Sequence, residues 1–229
     1  MSSPPAGDGN TVGRIRWTAV GFIVGSFLFA IGVPLSMATD LSPTVPGWVF
    51  FVGSVFFTAA ATLQLITSRE PYETAEASTQ RRVVMGLALR ARDLDWSASA
   101  IQWIGTLAFN VTTLRGALVA AGSSDASAEL VWRPDAIGSV LFLVSSAVAF
   151  LPEVRKRRHD HVRDRSWTIA ALNLLGSVFF GLSAVGAYTI PASNELLNAR
   201  WSNGGTFLGA VCFLVGAALL LPRRSRSRT

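Results

Sequence analysis

The sequence predicts an all-α membrane protein with six transmembrane helices, arranged as three parallel two-helix hairpin repeats. Three observations predict this fold. Half of the 229 residues are hydrophobic and only 15% are charged, and the charged residues fall between long apolar stretches. Each of the six apolar stretches begins near a tryptophan, a residue that settles at the membrane surface. A short glycine-centred motif then recurs in all six stretches.

The apolar stretches have the length that a bilayer requires. A helix needs about 20 apolar residues to cross the hydrocarbon core. The first stretch is longer than the apolar part of a signal peptide and no small-residue cleavage site follows it, so we expect it to be retained. The predicted spans cover residues 17–35, 47–66, 96–114, 135–151, 167–190 and 204–221, and the tryptophans are Trp17, Trp48, Trp96, Trp132, Trp167 and Trp201.

Basic residues predict the orientation of the chain. Of the 20 Lys and Arg residues, 17 fall before the first span, between the second and third, between the fourth and fifth, or after the sixth. Only Arg115, Arg133 and Arg200 fall on the other side. Because Lys and Arg are enriched in cytoplasmic loops, we expect a multi-pass cell-membrane protein with both termini in the cytoplasm. The net charge of +6 is then a property of topology and of attraction to anionic lipid, which argues against nucleic-acid binding.

The glycine motif groups the spans into three hairpins. Its glycines are 33 residues apart in the second and third hairpins and 28 apart in the first, so the last two hairpins are close copies. The motif begins at Gly25, Gly105 and Gly176 in the odd-numbered spans and at Gly53, Gly138 and Gly209 in the even-numbered spans, and each time ends on a phenylalanine four residues later. The predicted units cover 12–69, 93–156 and 163–223, and 70–92 is a cytoplasmic linker. The segment 81–94, which overlaps the end of this linker, is either an interfacial helix or a plain tether.

This pattern resembles the YrhK-like domain, a short two-helix unit of bacterial membrane proteins. The resemblance consists of a tryptophan at the helix entry, a Gly-Ser or Gly-Thr pair before aromatic residues, and Gly-Ser-x-x-Phe in the returning helix. It is best in the second and third hairpins, over 173–181 and 206–221. The family has no established reaction, ligand or catalytic residues, so the resemblance implies the membrane hairpin alone.

Polar residues in the spans form stripes. In the third span they fall within an arc of roughly 80 degrees on a helix of 3.6 residues per turn. Such stripes either pack helices together through small residues and hydrogen bonds or line a polar pathway, and packing is favoured because we expect no ionisable residue deep in a span. The polar residues are Gln102, Thr106, Asn110, Thr113, Asn173 and Ser177, and the small packing residues are Gly21, Gly25, Ser139, Ser146, Gly205 and Gly209.

The motifs of known enzymes and cofactor sites are missing from the sequence, so we predict no catalytic residue, cofactor or metal. Arg115 and Asp135 lie at the outer ends of spans, where an interfacial anchor and a helix N-cap are the expected roles. The sequence favours an integral membrane protein that acts by helix packing, in a homo-oligomer or with a membrane-protein partner. The alternative is a channel or transporter for small molecules or ions that uses a polar path between the hairpins.

Overall fold

The computed structural model describes residues 8–68, 91–160, 164–193 and 195–222, and almost all of them are helical. The prediction of a helical chain with six long helices is confirmed for these residues. The predicted linker at 70–92, with the proposed interfacial helix at 81–94, lies outside the described residues except for 91–94, which begin a long helix. The elements are α1 (Asp8–Met37), α2 (Thr44–Ser68), α3 (Ala91–Ala120), α4 (Ala128–Asp160), α5 (Arg165–Gly186), β1 (Thr189–Ile190), β2 (Glu195–Leu196) and α6 (Ala199–Leu220).

Five of the described helices are long and apolar enough to cross a membrane, namely α1, α2, α4, α5 and α6. The sixth, α3, has 30 residues and is long enough. It carries the predicted polar stripe of Gln102, Thr106, Asn110 and Thr113. Length and composition therefore support a membrane protein.

The turn between α5 and α6 differs from the prediction. The fifth span was expected to reach residue 190, but α5 ends at Gly186 and a two-residue antiparallel ladder pairs Thr189 with Leu196. The backbone N–H of Leu197 donates to the carbonyl of Tyr188 at 2.7 Å, which draws the two arms of the turn together. The side chain of Asn198 then accepts hydrogen bonds from the first backbone N–H groups of α6, a preferred N-cap arrangement.

The six helices close into a ring. Each helix contacts the helices before and after it in the chain, and α6 also contacts α1. Large apolar side chains on the outside of the ring are exposed, as expected of a surface that faces lipid. Inside the ring, the phenylalanines that end the glycine motifs meet in a phenylalanine cluster, which consists of Phe29, Phe57, Phe109, Phe142, Phe180 and Phe213.

The motif glycines allow this cluster to form. A Cβ atom built on Gly25 would lie 2.9 Å from the Phe57 ring and 2.9 Å from the carbonyl oxygen of Gly53. A Cβ atom on Gly209 would lie 2.7 Å from the Phe180 ring. Because these distances are shorter than carbon van der Waals contact, glycine is the residue that lets each phenylalanine cross to the facing helix. Most of the ring pairs meet edge to face, with centroids 5.1 Å apart for Phe109 and Phe142.

Candidate functional site

A cavity of about 380 Å³, here called cavity A, lies between the first halves of α1, α3 and α5 and the last halves of α2, α4 and α6. All six helices contribute to its wall, and Phe22 and Phe213 lie at its inner end. Its polar lining residues include Gln64, Asp95, Ser99, Gln102, Ser146 and Asn173.

Gln102 and Asn173, two residues of the predicted stripes, both line cavity A. Each lies three residues before the motif glycine of its helix, and Phe22 in α1 has the same position and lines the same cavity. Within the described residues, no hydrogen bond joins the two amides to each other. The structure therefore brings both side chains to one cavity without pairing them.

A second cavity of about 490 Å³, cavity B, lies in the opposite half of the ring. All six helices line it as well, and Phe29 and Phe180 of the phenylalanine cluster border its inner end. The cluster thus separates the two cavities. The polar lining residues of cavity B include Thr112, Thr113, Trp132, Asp135, Ser183 and Thr206.

Asp135 lies inside α4, not at its start. We expected it to cap the fourth helix, and that expectation is wrong because α4 begins at Ala128, seven residues earlier. The carboxylate is therefore about 10 Å along the helix from its first residue. It is partly exposed, on the wall of cavity B.

Pro134, the residue before Asp135, removes one backbone hydrogen bond from α4. A proline has no N–H and cannot donate to the carbonyl four residues earlier, which here is that of Leu130. The Arg115 side chain of α3 donates to this carbonyl at 2.7 Å, and the Thr112 hydroxyl of α3 donates to the next one, Val131, at 2.6 Å. Arg115 thus replaces a missing helical hydrogen bond, a role beyond the interfacial anchor expected from the sequence.

The rest of the stripe in α3 meets α2. The Asn110 side chain donates to the Thr58 hydroxyl at 2.9 Å, and the Thr113 and Ser54 hydroxyls are 2.9 Å apart. Thr106, fully buried, donates to a carbonyl of its own helix. These contacts are of the packing kind, in contrast to the position of Gln102.

The predicted packing residues lie at helix contacts. The Ser146 and Ser177 hydroxyls are 2.7 Å apart between α4 and α5, and Ser139 donates to the carbonyl of Phe180 at 3.3 Å. A Cβ atom on Gly21 would lie 2.9 Å from the Ala60 methyl group, and one on Gly205 would lie 2.7 Å from the backbone nitrogen of Ser183.

Sequence reasoning missed cavity B and its carboxylate. The signal was present, since Asp135 follows a proline inside the apolar stretch 128–155. The motif phenylalanines were also visible at a constant offset from their glycines, but nothing local indicates that all six point to one centre.

No protein-family model, curated protein or solved structure matches this chain. The resemblance to the YrhK-like unit therefore stays a prediction.

Proposed function

We propose that all six helices span the cell membrane as three equivalent hairpins, with both termini in the cytoplasm. Equivalent positions in the alignment support the repeat. Phe22, Gln102 and Asn173 lie three residues before their motif glycines and line cavity A, whereas Phe50, Asp135 and Thr206 have that offset in the even-numbered helices and line cavity B. The position of α3 in the ring, between α2 and α4, supports its crossing the membrane with them.

The orientation has a direct test. In a Cys212→Ala background, a cysteine introduced at Ser123 should react with a membrane-impermeant thiol reagent in intact cells, and one introduced at Thr79 should react only after lysis. The reverse pattern would overturn the orientation.

Within this frame, we propose that the protein is a transporter of small solutes whose two cavities are the two ends of one path. The carrying observation is that all six helices line each cavity, and that members of the phenylalanine cluster border both cavities. Asn110 bonds to α2, whereas Gln102 and Asn173 line cavity A without bonding to each other. The position of Gln102 and Asn173 in cavity A favours transport over a purely structural role.

The test uses the full chain in lipid vesicles and follows uptake of labelled methylammonium, acetate and glycerol. Ala149 lines cavity A, whereas Ala147, two residues away in α4, is exposed on the outer surface. Ala149→Trp fills the cavity and should reduce uptake at least tenfold. Ala147→Trp adds the same side chain on the lipid side and should leave uptake unchanged.

Two results would overturn the transport proposal. One is uptake of all three solutes no faster than in protein-free vesicles, which would leave packing or partner association as the function. The other is an equal loss of uptake in the Ala147 and Ala149 variants at equal thermal stability.

A further inference from the structure

We propose that cavity B binds a small organic cation of the alkylammonium type, with Asp135 as its counter-ion. This inference deepens the proposed transport function, on which it rests for its physiological meaning, and names the class of solute. Binding itself needs only the cavity and its lining residues.

The charge of the cavity indicates the sign of the ligand. Asp135 is the only acidic or basic residue among the described residues that line cavity B. The basic residues of this half of the molecule are committed elsewhere or point outward. Arg115 donates to the Leu130 carbonyl, Arg133 pairs with Glu129, and Arg200 is exposed.

The setting of Asp135 leaves its carboxylate open to a ligand in cavity B. The residue lies within the apolar span Ala128–Arg155. None of the described residues forms an ion pair or hydrogen bond with its carboxylate. A carboxylate inside a membrane span faces a cavity or a partner and marks a functional site by default. A cation in cavity B supplies that partner.

Neighbouring groups suit an ammonium ligand. The Thr112 hydroxyl gives its proton to the Val131 carbonyl, which leaves its lone pairs to accept a hydrogen bond from the ligand. Trp132, whose indole N–H is held by the Ala184 carbonyl at 2.7 Å, lines the same cavity with Phe29. Aromatic faces attract organic cations electrostatically.

The size of the cavity favours an organic ion over a bare metal ion. A volume of about 490 Å³ lies within the range of small-molecule sites. A dehydrated metal ion is held by several oxygen ligands at roughly 2.0–2.6 Å, whereas cavity B combines one carboxylate with hydroxyl and aromatic groups. Butylammonium, with a charged head and a short apolar tail, matches this set.

The experiment measures binding of butylammonium chloride to the full chain in detergent by calorimetry, with butanol and sodium butyrate as neutral and anionic analogues. Asp135→Asn should weaken butylammonium binding at least tenfold. Asp125→Asn, a matched removal of one carboxylate from the exposed loop that precedes α4, should leave binding unchanged. Thermal unfolding of both variants checks that they are folded.

The wild-type protein alone already tests the claim, because butanol or butyrate binding as tightly as butylammonium would overturn it. Equal binding by the Asp135→Asn variant would also overturn it. Tight, Asp135-dependent binding without uptake in vesicles would support the site and refute transport. Uptake of methylammonium that is unaffected by Asp135→Asn would support transport and refute the site.

Discussion

The contact between α2 and α3 and the contact between α6 and α1 join hairpins at equivalent places in the ring, yet they differ in chemistry. Side-chain hydrogen bonds connect α2 to α3, among them Thr58 to Asn110 and Thr62 to Trp103. Helix α1, which contacts α6, instead buries two hydroxyls, those of Thr18 and Ser26, for which the described structure has no hydrogen-bond partner.

The alignment of the hairpins explains the difference. Between α4 and α5, Ser146 bonds to Ser177, which follows a motif glycine. The equivalent residues of the α6 and α1 contact are Ala217 and Ser26, so one of the two hydroxyls is replaced by a methyl group. In lipid there is no hydrophobic driving force for helices to associate, so hydrogen bonds and close packing hold them together. At Ser26 and Ala217, the α6 and α1 contact therefore rests on packing.

The largest expected effect comes from close packing at the α2 and α3 contact. A Cβ atom on Gly47 would lie 3.0 Å from the Cα atom of Ala117, and a backbone atom cannot move aside alone. Gly47→Ala should therefore lower the free energy of unfolding by about 1–3 kcal/mol, measured by thermal unfolding in detergent.

Gly204→Ala is the matched control, because a Cβ atom on Gly204 meets nothing within 4 Å. Alanine is the better helix former, so this change should be neutral or stabilising by up to about 1 kcal/mol. Equal losses in the two variants would show that the α2 and α3 contact tolerates separation.

The next effect is a difference between two serines in how substitution by alanine changes the free energy of unfolding. Ser54 and Ser26 both follow a motif glycine and both are fully buried. Ser54 bonds to Thr113 and to the Phe51 carbonyl, so Ser54→Ala should destabilise by about 1 kcal/mol. Ser26→Ala removes a buried hydroxyl without a partner and should be neutral or stabilising in the same unfolding measurement. A loss at Ser26 as large as that at Ser54 would refute the contrast.

The contrast between the contacts was only partly predictable from the sequence. Composition and spacing are local properties, and they were enough for the helices and for the polar stripe of the third span. Which stripe meets which helix depends on the closed ring. For that reason Asn110 and Gln102, on one predicted stripe, have different surroundings, one against Thr58 and the other in cavity A.

The error at Asp135 has a physical cause. The fourth predicted span begins at Asp135, and aspartate is a preferred N-cap residue, so the sequence predicted a helix start there. The helix instead continues in the N-terminal direction, because Arg115 and Thr112 of α3 supply hydrogen bonds to carbonyls around the proline. Donors on another helix are not visible in the local sequence.

A smaller effect is the coupling between Asn110 and Thr58. The bond between them is 2.9 Å long, but the Asn110 side-chain oxygen is buried without a partner, so Asn110→Leu removes a favourable and an unfavourable feature together. A double-mutant cycle with Thr58→Val should give a coupling of about 0.6 kcal/mol, the average for such bonds in membrane proteins. The same cycle with Thr67→Val, whose hydroxyl bonds to the Leu63 carbonyl of α2, should give none.

The smallest effect is expected at Gln102 and Asn173. Because both amides line cavity A and no bond between them is described, Gln102→Leu and Asn173→Leu should each change the free energy of unfolding by less than about 0.5 kcal/mol. The double variant should lose the sum of the two, since unpaired residues add. In vesicles the same variants should change solute uptake, as residues on a path do. A large loss of stability that is smaller in the double variant than the sum would instead show that the amides are paired, and would return them to the packing role that the α2 and α3 contact already exemplifies.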